Sequence, residues 1–365
     1  MQLSHRQKVV LSTVLVLLVV ALMLVFAEGT IRIRQWVKYG YFGQIGDLWS
    51  VDHETGLRVL EANASTRTIS VNSLGFRGPP LHQPKAAGQL RLAFLGASTT
   101  FCAEVSSDEL AWPHLVTEAI KSGTPGVAVD YVNGAVPGYT VQSSLRNLRE
   151  SIAPLEPDAI IIYHATNDLS RETRSLAEKQ GIYRADMADE MSWLTEYSLL
   201  WYLVEKNLRI KGAQRDADAV RQRLEFSPSE LGSQFRNELT QLVTEAKQVS
   251  TVVALVTFSH QIRPGQPPGK QLEAAGSALY YMPFMSPSGL LDAFVRYNQI
   301  ITEVARETGV LLIEGESLIP GDSEHFNDTV HFRDAGSRVM ARRVSDALLQ
   351  FPGFQDLVVA KRISN

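Results

Sequence analysis

Ser98 ends the run Leu92-Ala93-Phe94-Leu95-Gly96-Ala97-Ser98-Thr99-Thr100, a buried-strand pattern that passes straight into a Gly-x-Ser turn. A hydroxyl at such a strand end can stand above the edge of a sheet, and the N–H groups of a helix starting there face the same ligand. A serine is a poor nucleophile until a base takes its proton. Far downstream, Asp328-Thr329-Val330-His331 sets a carboxylate three residues before a histidine. That acid could hold the imidazole in one tautomer and stabilise the imidazolium. Nucleophile, base and orienting acid are the parts of a serine hydrolase. Each half also has an ordinary reading: Ser98 as the N-cap of the next helix, and Asp-x-x-His as a helix cap beside a surface histidine.

Attack on a carbonyl also needs donors aimed at the developing oxyanion. Asn133-Gly134-Ala135-Val136-Pro137-Gly138 follows a second apolar run, and a glycine there can offer its N–H with no side chain in the way. A third run ends in His164-Ala165-Thr166-Asn167-Asp168, where the Asn167 amide is a second donor. Turn formation is the competing explanation for both segments.

The elements that must carry these residues alternate between strand and helix. Continuous apolar runs at 90–95, 127–132, 159–163, 252–258 and 310–313 suit strands buried on both faces of a parallel sheet. Val141, Leu145, Leu148 and Ile152 share one helix face. Ser227-Pro228-Ser229-Glu230 reads as a capping box opening a helix with Leu231, Phe235, Leu239, Leu242 and Ala246 inward and a Phe226–Leu231 staple. A last helix follows His331 with Met340, Val344 and Leu348 inward. Five strands joined by helical crossovers predict a three-layer α/β/α sandwich. Residues 170–226 interrupt the alternation as a helical insertion. Trp193, Tyr197, Leu200, Trp201 and Val204 share a helical face there, read first as core and otherwise as a membrane-facing or substrate-covering surface.

Taken together, Gly96-Ala97-Ser98, Asn133 to Gly138, Thr166-Asn167-Asp168 and Asp328-Thr329-Val330-His331 resemble the four blocks of the SGNH hydrolase family, also called GDSL esterases/lipases, over residues 90–350. Within the family the chain is most similar to membrane-anchored bacterial members with a Gly-x-Ser-Thr-Thr-Phe first block and an Asn-Ser-Leu-Gly-Phe-Arg-Gly stretch upstream, here Asn72 to Gly78. The resemblance implies a flavodoxin-like SGNH fold, with Ser98 as nucleophile, His331 as base and Asp328 as its partner. It implies an oxyanion hole made by the Ser98 N–H, the Gly138 N–H and the Asn167 side chain. Two departures stand out. Ala97 replaces the aspartate of the Gly-Asp-Ser block, and Ala165-Thr166 replace the glycines before the Asn-Asp pair.

The rest of the composition narrows the setting. Among 365 residues, 35 basic and 39 acidic side chains give a net charge of −4, no basis for nucleic-acid binding. Cys102 is the single cysteine, which rules out an intrachain disulfide and a thiolate metal cluster; it reads as a small buried thiol, with a reactive one as the alternative. Val9 to Ala27 carries no charge and is long enough to cross a bilayer. Its length favours an uncleaved anchor over a signal peptide. Basic residues flank it on both sides (His5, Arg6 and Lys8; Arg32, Arg34 and Lys38), so orientation is weakly marked. The expected organisation is an anchor at 1–28, a juxtamembrane segment and linker at 29–89 with a small hairpin pairing 57–59 and 69–71, and a hydrolase domain at 90–352. Sequons at Asn63 and Asn327 read as fortuitous, since a glycan on Asn327 would obstruct Asp328.

The expected activity is hydrolysis of acyl esters, including O-acetyl esters, on an extracytoplasmic glycan or lipid. No metal or organic cofactor is called for, and the membrane and the ester substrate are the expected partners. The same residues would serve an O-acyltransferase in polysaccharide maturation, and the same fold could survive as a non-catalytic binding module.

Overall fold

The computed structural model of the chain describes residues 4–40, 48–183, 191–218 and 223–363. Two compact units divide it, Met1–Asp47 with Asp189–Arg209 and Leu48–Ala188 with Ile210–Asn365. The first opens with helix α1 (His5–Tyr39), started by a reciprocal Ser4/Gln7 capping box and stopped by Gly40 in the left-handed conformation. Its His5–Val37 stretch is long and apolar enough to cross a membrane. The helix does not end at residue 28. It continues through Glu28, Arg32 and Arg34.

The second unit is built on a five-stranded, wholly parallel sheet flanked by helices. Preceding it is an antiparallel hairpin of β1 (Trp49–Val51) and β2 (Arg58–Leu60). The sheet strands are β3 (Leu90–Gly96), β4 (Val129–Asn133), β5 (Ala159–Tyr163), β6 (Val252–Val256) and β7 (Leu311–Ile313), in the order β4-β3-β5-β6-β7. Every residue of β3, β5 and β6 is buried, which is why these runs are continuously apolar instead of alternating. Strand addition reverses direction after β4, so the carboxyl ends of β3 and β5 form the switch point where such sheets open a ligand crevice.

The hairpin pairing expected from the pattern is not the one formed. Residues 58–60 pair with 49–51, while Ile69 to Val71 joins a set of turns through the Ser65/Ser70 and Val71/Arg77 bridges. Asp52 decides this: its carboxylate accepts from the Glu54 and Thr55 N–H groups and makes the tight turn that returns the chain onto 49–51. Residues 48–78, read as juxtamembrane, pack on the core of this unit. Leu48, Leu60, Ile69 and Val71 form one apolar cluster with Ala97, Phe101, Ala135, Val136 and Tyr139, packing the upstream segment directly on the Ser98 turn.

Between these strands lie α2 (Ser98–Phe101), α3 (Trp112–Gly123), α4 (Val141–Asn147) and α5 (Thr166–Lys179). The first unit also holds α6 (Leu194–Tyr197) and the start of α7 (Leu199–Asp218), whose residues from Ile210 onward belong to the second. Ser198 breaks the expected single stripe into two helices, and Trp193, Tyr197, Trp201 and Val204 are exposed rather than core. The chain closes with α8 (Ser233–Val249), α9 (Pro268–Tyr281), α10 (Pro287–Thr308), α11 (Asp334–Gln350) and α12 (Pro352–Ile363). Contacts among α3, α11 and α12 make one outer layer; those among α4, α8 and α10 make the other. Helix α8 begins at Ser233, not at Ser227. Glu230 does accept from the Ser227 N–H, but only around a short 3₁₀ turn. Gly232 then takes a φ of 87°, and Glu172 from α5 caps the Gly232 and Phe235 N–H groups. The inward stripe from Leu231 to Ala246 is buried as expected.

Candidate active site

Ser98 owes its position to a sharp exit from β3. A Cβ on Gly96 would strike the Thr100 side chain and come within 3.0 Å of the Tyr163 carbonyl, so only glycine lets α2 fold back this tightly. The N-cap position of α2 is taken by Ala97, which offers no side-chain cap, and Ser98 is its first helical residue. The Ser98 hydroxyl therefore does not cap the helix. It lies 2.8 Å from His331 Nε2. The other ring nitrogen, Nδ1, is 2.9 and 2.8 Å from the two Asp328 carboxylate oxygens. A carboxylate can only accept, so Nδ1 carries the proton and Nε2 presents its lone pair to the serine.

The Asp328–His331 turn is fastened at both ends and in the middle. Asn327 N–H donates to the His331 carbonyl, Arg333 N–H to that of His325, and Phe326 and Phe332 form a bridge. Asp328 Oδ1 accepts from the Val330 and His331 N–H groups at 3.0 Å each. Buried Thr329 pegs the turn to α9: its hydroxyl donates to the Ala274 carbonyl at 2.7 Å and receives Ser277 Oγ at 2.9 Å. Burial raises the Asp328 pKa, but the charge of His331 and the hydrogen bonds of His331 and Val330 outweigh it and bring the group down from 3.8 to about 2. A depressed carboxyl contributes stability that is present above its ordinary value and lost as pH falls through the lowered one. Replacing Asp328 with Asn should thus remove part of the acid limb of a thermal-melt profile between pH 3.8 and about 2. It should also lower ester turnover by about 10⁴-fold, because an amide does not hold the required tautomer.

A second Asp-x-x-His pair lies six residues upstream, with Asp322 Oδ1 2.7 Å from His325 Nδ1. Among the described residues it is His331 whose ring meets Ser98. His164 and His260 are buried, and burial lowers each to about 3, so both are neutral; His164 is bound to Ser144 at 2.8 Å.

Several supports were not named from sequence. Arg77 is wholly buried and clamps the carboxyl end of α2: Nη1 donates to the Phe101 and Cys102 carbonyls at 2.5 and 2.6 Å, Nη2 to that of Thr68 at 2.8 Å, and Nε to Asp108 at 2.8 Å. Trp112 Nε1 holds the Thr99 carbonyl at 3.1 Å. Asp334, at the start of α11, binds the Ser106 N–H and hydroxyl at 2.8 and 2.7 Å, tying the loop after Ser98 to the element that follows His331. Glu104, on that loop, has a buried Oε2 without a hydrogen-bond partner. Burial raises its pKa, which the charge of His331 lowers and that of Asp328 raises. Asn72 to Gly78 shows what the upstream stretch does: Asn72 Oδ1 accepts from the Leu74 and Phe76 N–H groups, and the turn delivers Arg77. A lone arginine among apolar residues was the available signal. Cys102 is buried and its thiol is pushed up to about 12, so it is not the reactive sulfur considered above.

The loops that carry Gly138 and Asn167 leave the same sheet edge from β4 and β5, the neighbours of β3. Gly138 has a φ of 89°, a left-handed conformation that favours glycine. Asn167 is the second residue of α5 and one of its amide hydrogens goes to the Tyr139 carbonyl at 2.8 Å, locking the side chain to the Gly138 loop. Asp168 ties the same two loops by accepting the Val141 N–H at 3.1 and 3.3 Å. Arg58, from the hairpin, donates to the Pro137 carbonyl at 2.9 Å beside Gly138. Burial pushes the Asp168 pKa up from 3.8 to about 7, against the Val141 and Arg171 contributions. The folded chain then holds a proton that the unfolded chain releases, so stability falls as pH rises across that window. Asp168→Asn keeps the acceptor and should flatten this decline in melts between pH 3.8 and about 7.

Residues 94–339 match the model of the GDSL-like lipase/acylhydrolase family. The chain belongs to the GDSL-like lipase/acylhydrolase family. It is accordingly a hydrolase of ester bonds. Similar solved structures include an acetylxylan esterase from Geobacillus stearothermophilus, at 17% identity and a TM-score of 0.43 over 72% of this chain and 95% of that one. A lipase/acylhydrolase from Enterococcus faecalis is 15% identical, with a TM-score of 0.42 over 72% and 96%. No curated protein sequence matches the chain. In this GDSL-like acylhydrolase, the alanine at position 97 has a packing reason. Ala97 is buried in the apolar cluster that the upstream Leu60, Ile69 and Val71 bring onto the Ser98 turn, where burying a carboxylate would carry a desolvation cost.

Proposed function

We propose that the chain is a membrane-anchored serine ester hydrolase working through Ser98, His331 and Asp328. The observation that carries the reading is the continuous chain of short contacts from Ser98 Oγ through the His331 ring to Asp328. Ser98 Oγ attacks the acyl carbonyl as His331 Nε2 takes its proton, and Asp328 stabilises the imidazolium. The tetrahedral oxyanion receives hydrogen bonds from the Ser98 N–H, the Gly138 N–H and the Asn167 Nδ2 hydrogen not used by Tyr139. His331 returns the proton to the departing alkoxide, which leaves as an alcohol. Water, deprotonated by His331, then attacks the acyl-Ser98 ester and releases the acid.

Helix α1 would anchor the enzyme in the cell membrane. With the N-terminus inside, the catalytic unit stands outside the cytoplasm, facing O-acylated glycans or lipid esters. The test is fluorophosphonate labelling of the full-length chain in membranes. Adduct on Ser98, lost in His331→Ala, is the expected outcome; an unlabelled Ser98 in a folded chain that turns over esters removes the assignment.

A further inference from the structure

The exposed residues at α6 and α7 are not part of the Ser98–His331–Asp328 contacts. Trp193, Leu194 and Tyr197 at α6 and Trp201, Val204 and Leu208 on α7 are all exposed, Trp193 and Tyr197 by 69% and 72%. So large a set of exposed rings and aliphatics marks an interaction surface. Its attachment says what it faces. Glu28 is the first charged residue after the apolar run of α1. Its carboxylate accepts from the Leu199 and Leu200 N–H groups at 3.0 and 2.9 Å and from Ser198 Oγ at 2.9 Å, so it caps the start of α7. Arg32 adds a bond to the Tyr197 carbonyl at 3.2 Å. The α6–α7 corner is therefore pinned where the apolar helix becomes polar, and Trp36, also exposed, lies within one further turn or two of α1. The corner is internally braced: Glu205 accepts from the Ser192 N–H and hydroxyl, and Ser192 Oγ takes the Trp201 indole N–H at 2.6 Å.

We infer that this corner lies in the bilayer interface, with Trp193, Tyr197 and Trp201 seated at headgroup level beside the emerging end of α1. Amphipathic rings favour that depth, where an apolar body and a polar tip are both satisfied. Resting on α1 as a membrane span, the inference makes the corner a second contact that fixes the tilt of the first unit at the membrane surface.

The test uses the full-length chain in phosphatidylcholine/phosphatidylglycerol vesicles whose acyl chains carry bromine near the headgroup. Expected results are strong bromolipid quenching of tryptophan emission, loss of most of it in Trp193→Phe/Trp201→Phe, and unchanged kinetics of that variant on a short soluble ester. Equal quenching in wild type and variant, with both floating with alkali-washed vesicles, overturns the inference while leaving the anchor in place. A raised KM without a change in quenching overturns it in favour of a substrate cover. Failure to float after alkaline washing removes the span, and the inference with it.

Discussion

Ser98→Ala should lower turnover of a short p-nitrophenyl ester by at least about 10⁴-fold, to a residue of activity owed to the oxyanion donors and binding alone. The fold should not change. Ser98 is partly exposed, and its hydroxyl makes the His331 contact rather than a helix cap. The melting temperature should therefore stay within the range of a surface substitution. Circular dichroism, melting and steady-state kinetics on one preparation check both halves. Turnover left undiminished would remove Ser98 as nucleophile. A large loss of stability would show that the hydroxyl holds the turn together. Since members of a triad act as a unit, His331→Ala should be about as damaging, and the double variant scarcely worse than either single one.

Arg77→Ala should be the most destabilising single change in the upstream segment, by about 3–5 kcal/mol, the usual result of removing one partner from a buried ion pair. The cause is local and countable. Asp108, itself one-fifth exposed, would lose its counter-charge, and the Thr68, Phe101 and Cys102 carbonyls would lose the buried guanidinium that donates to them. The guanidinium also lies 5.2 Å over the Phe101 ring. Urea midpoints would report the stability loss. Activity should fall as well, below the denaturation midpoint, because the last turn of α2 is what keeps Ser98 at the β3 exit. Arg77→Lys should recover little of either, since an ammonium cannot reach three carbonyls and a carboxylate from one flat fork. A variant as stable as wild type would mean that 66–78 docks without Arg77.

The β-rich runs made five parallel strands legible, because strands buried on both faces must be continuously apolar and few other elements are. The same reasoning failed where packing was not periodic. Residues 48–78 alternate at 57–59 and 69–71, but the turns set by Asp52, Asn72 and Gly75 decide which segments pair, and alternation alone does not name the partner. The stripe at 193–204 is broken at Ser198 into two helices, and spacing alone does not say whether a face meets protein or something else. The start of α8 was misplaced by local capping chemistry at Ser227, because Glu172 from another helix supplied the cap that sequence neighbours were expected to supply.

By itself the sequence determined the candidate chemistry and its order: a serine at a strand end, donor loops after the next two strands, and an acid three residues before a histidine. Those are properties of neighbours a few positions apart, and local geometry follows from them. Only the tertiary structure decided which of two Asp-x-x-His turns meets Ser98, since both orient a histidine and the distinction lies in a contact across 233 residues. It also decided why Ala97 can stand beside Ser98. The upstream segment folds back onto that turn and makes its surroundings apolar, a neighbourhood that exists only once the chain has closed on itself.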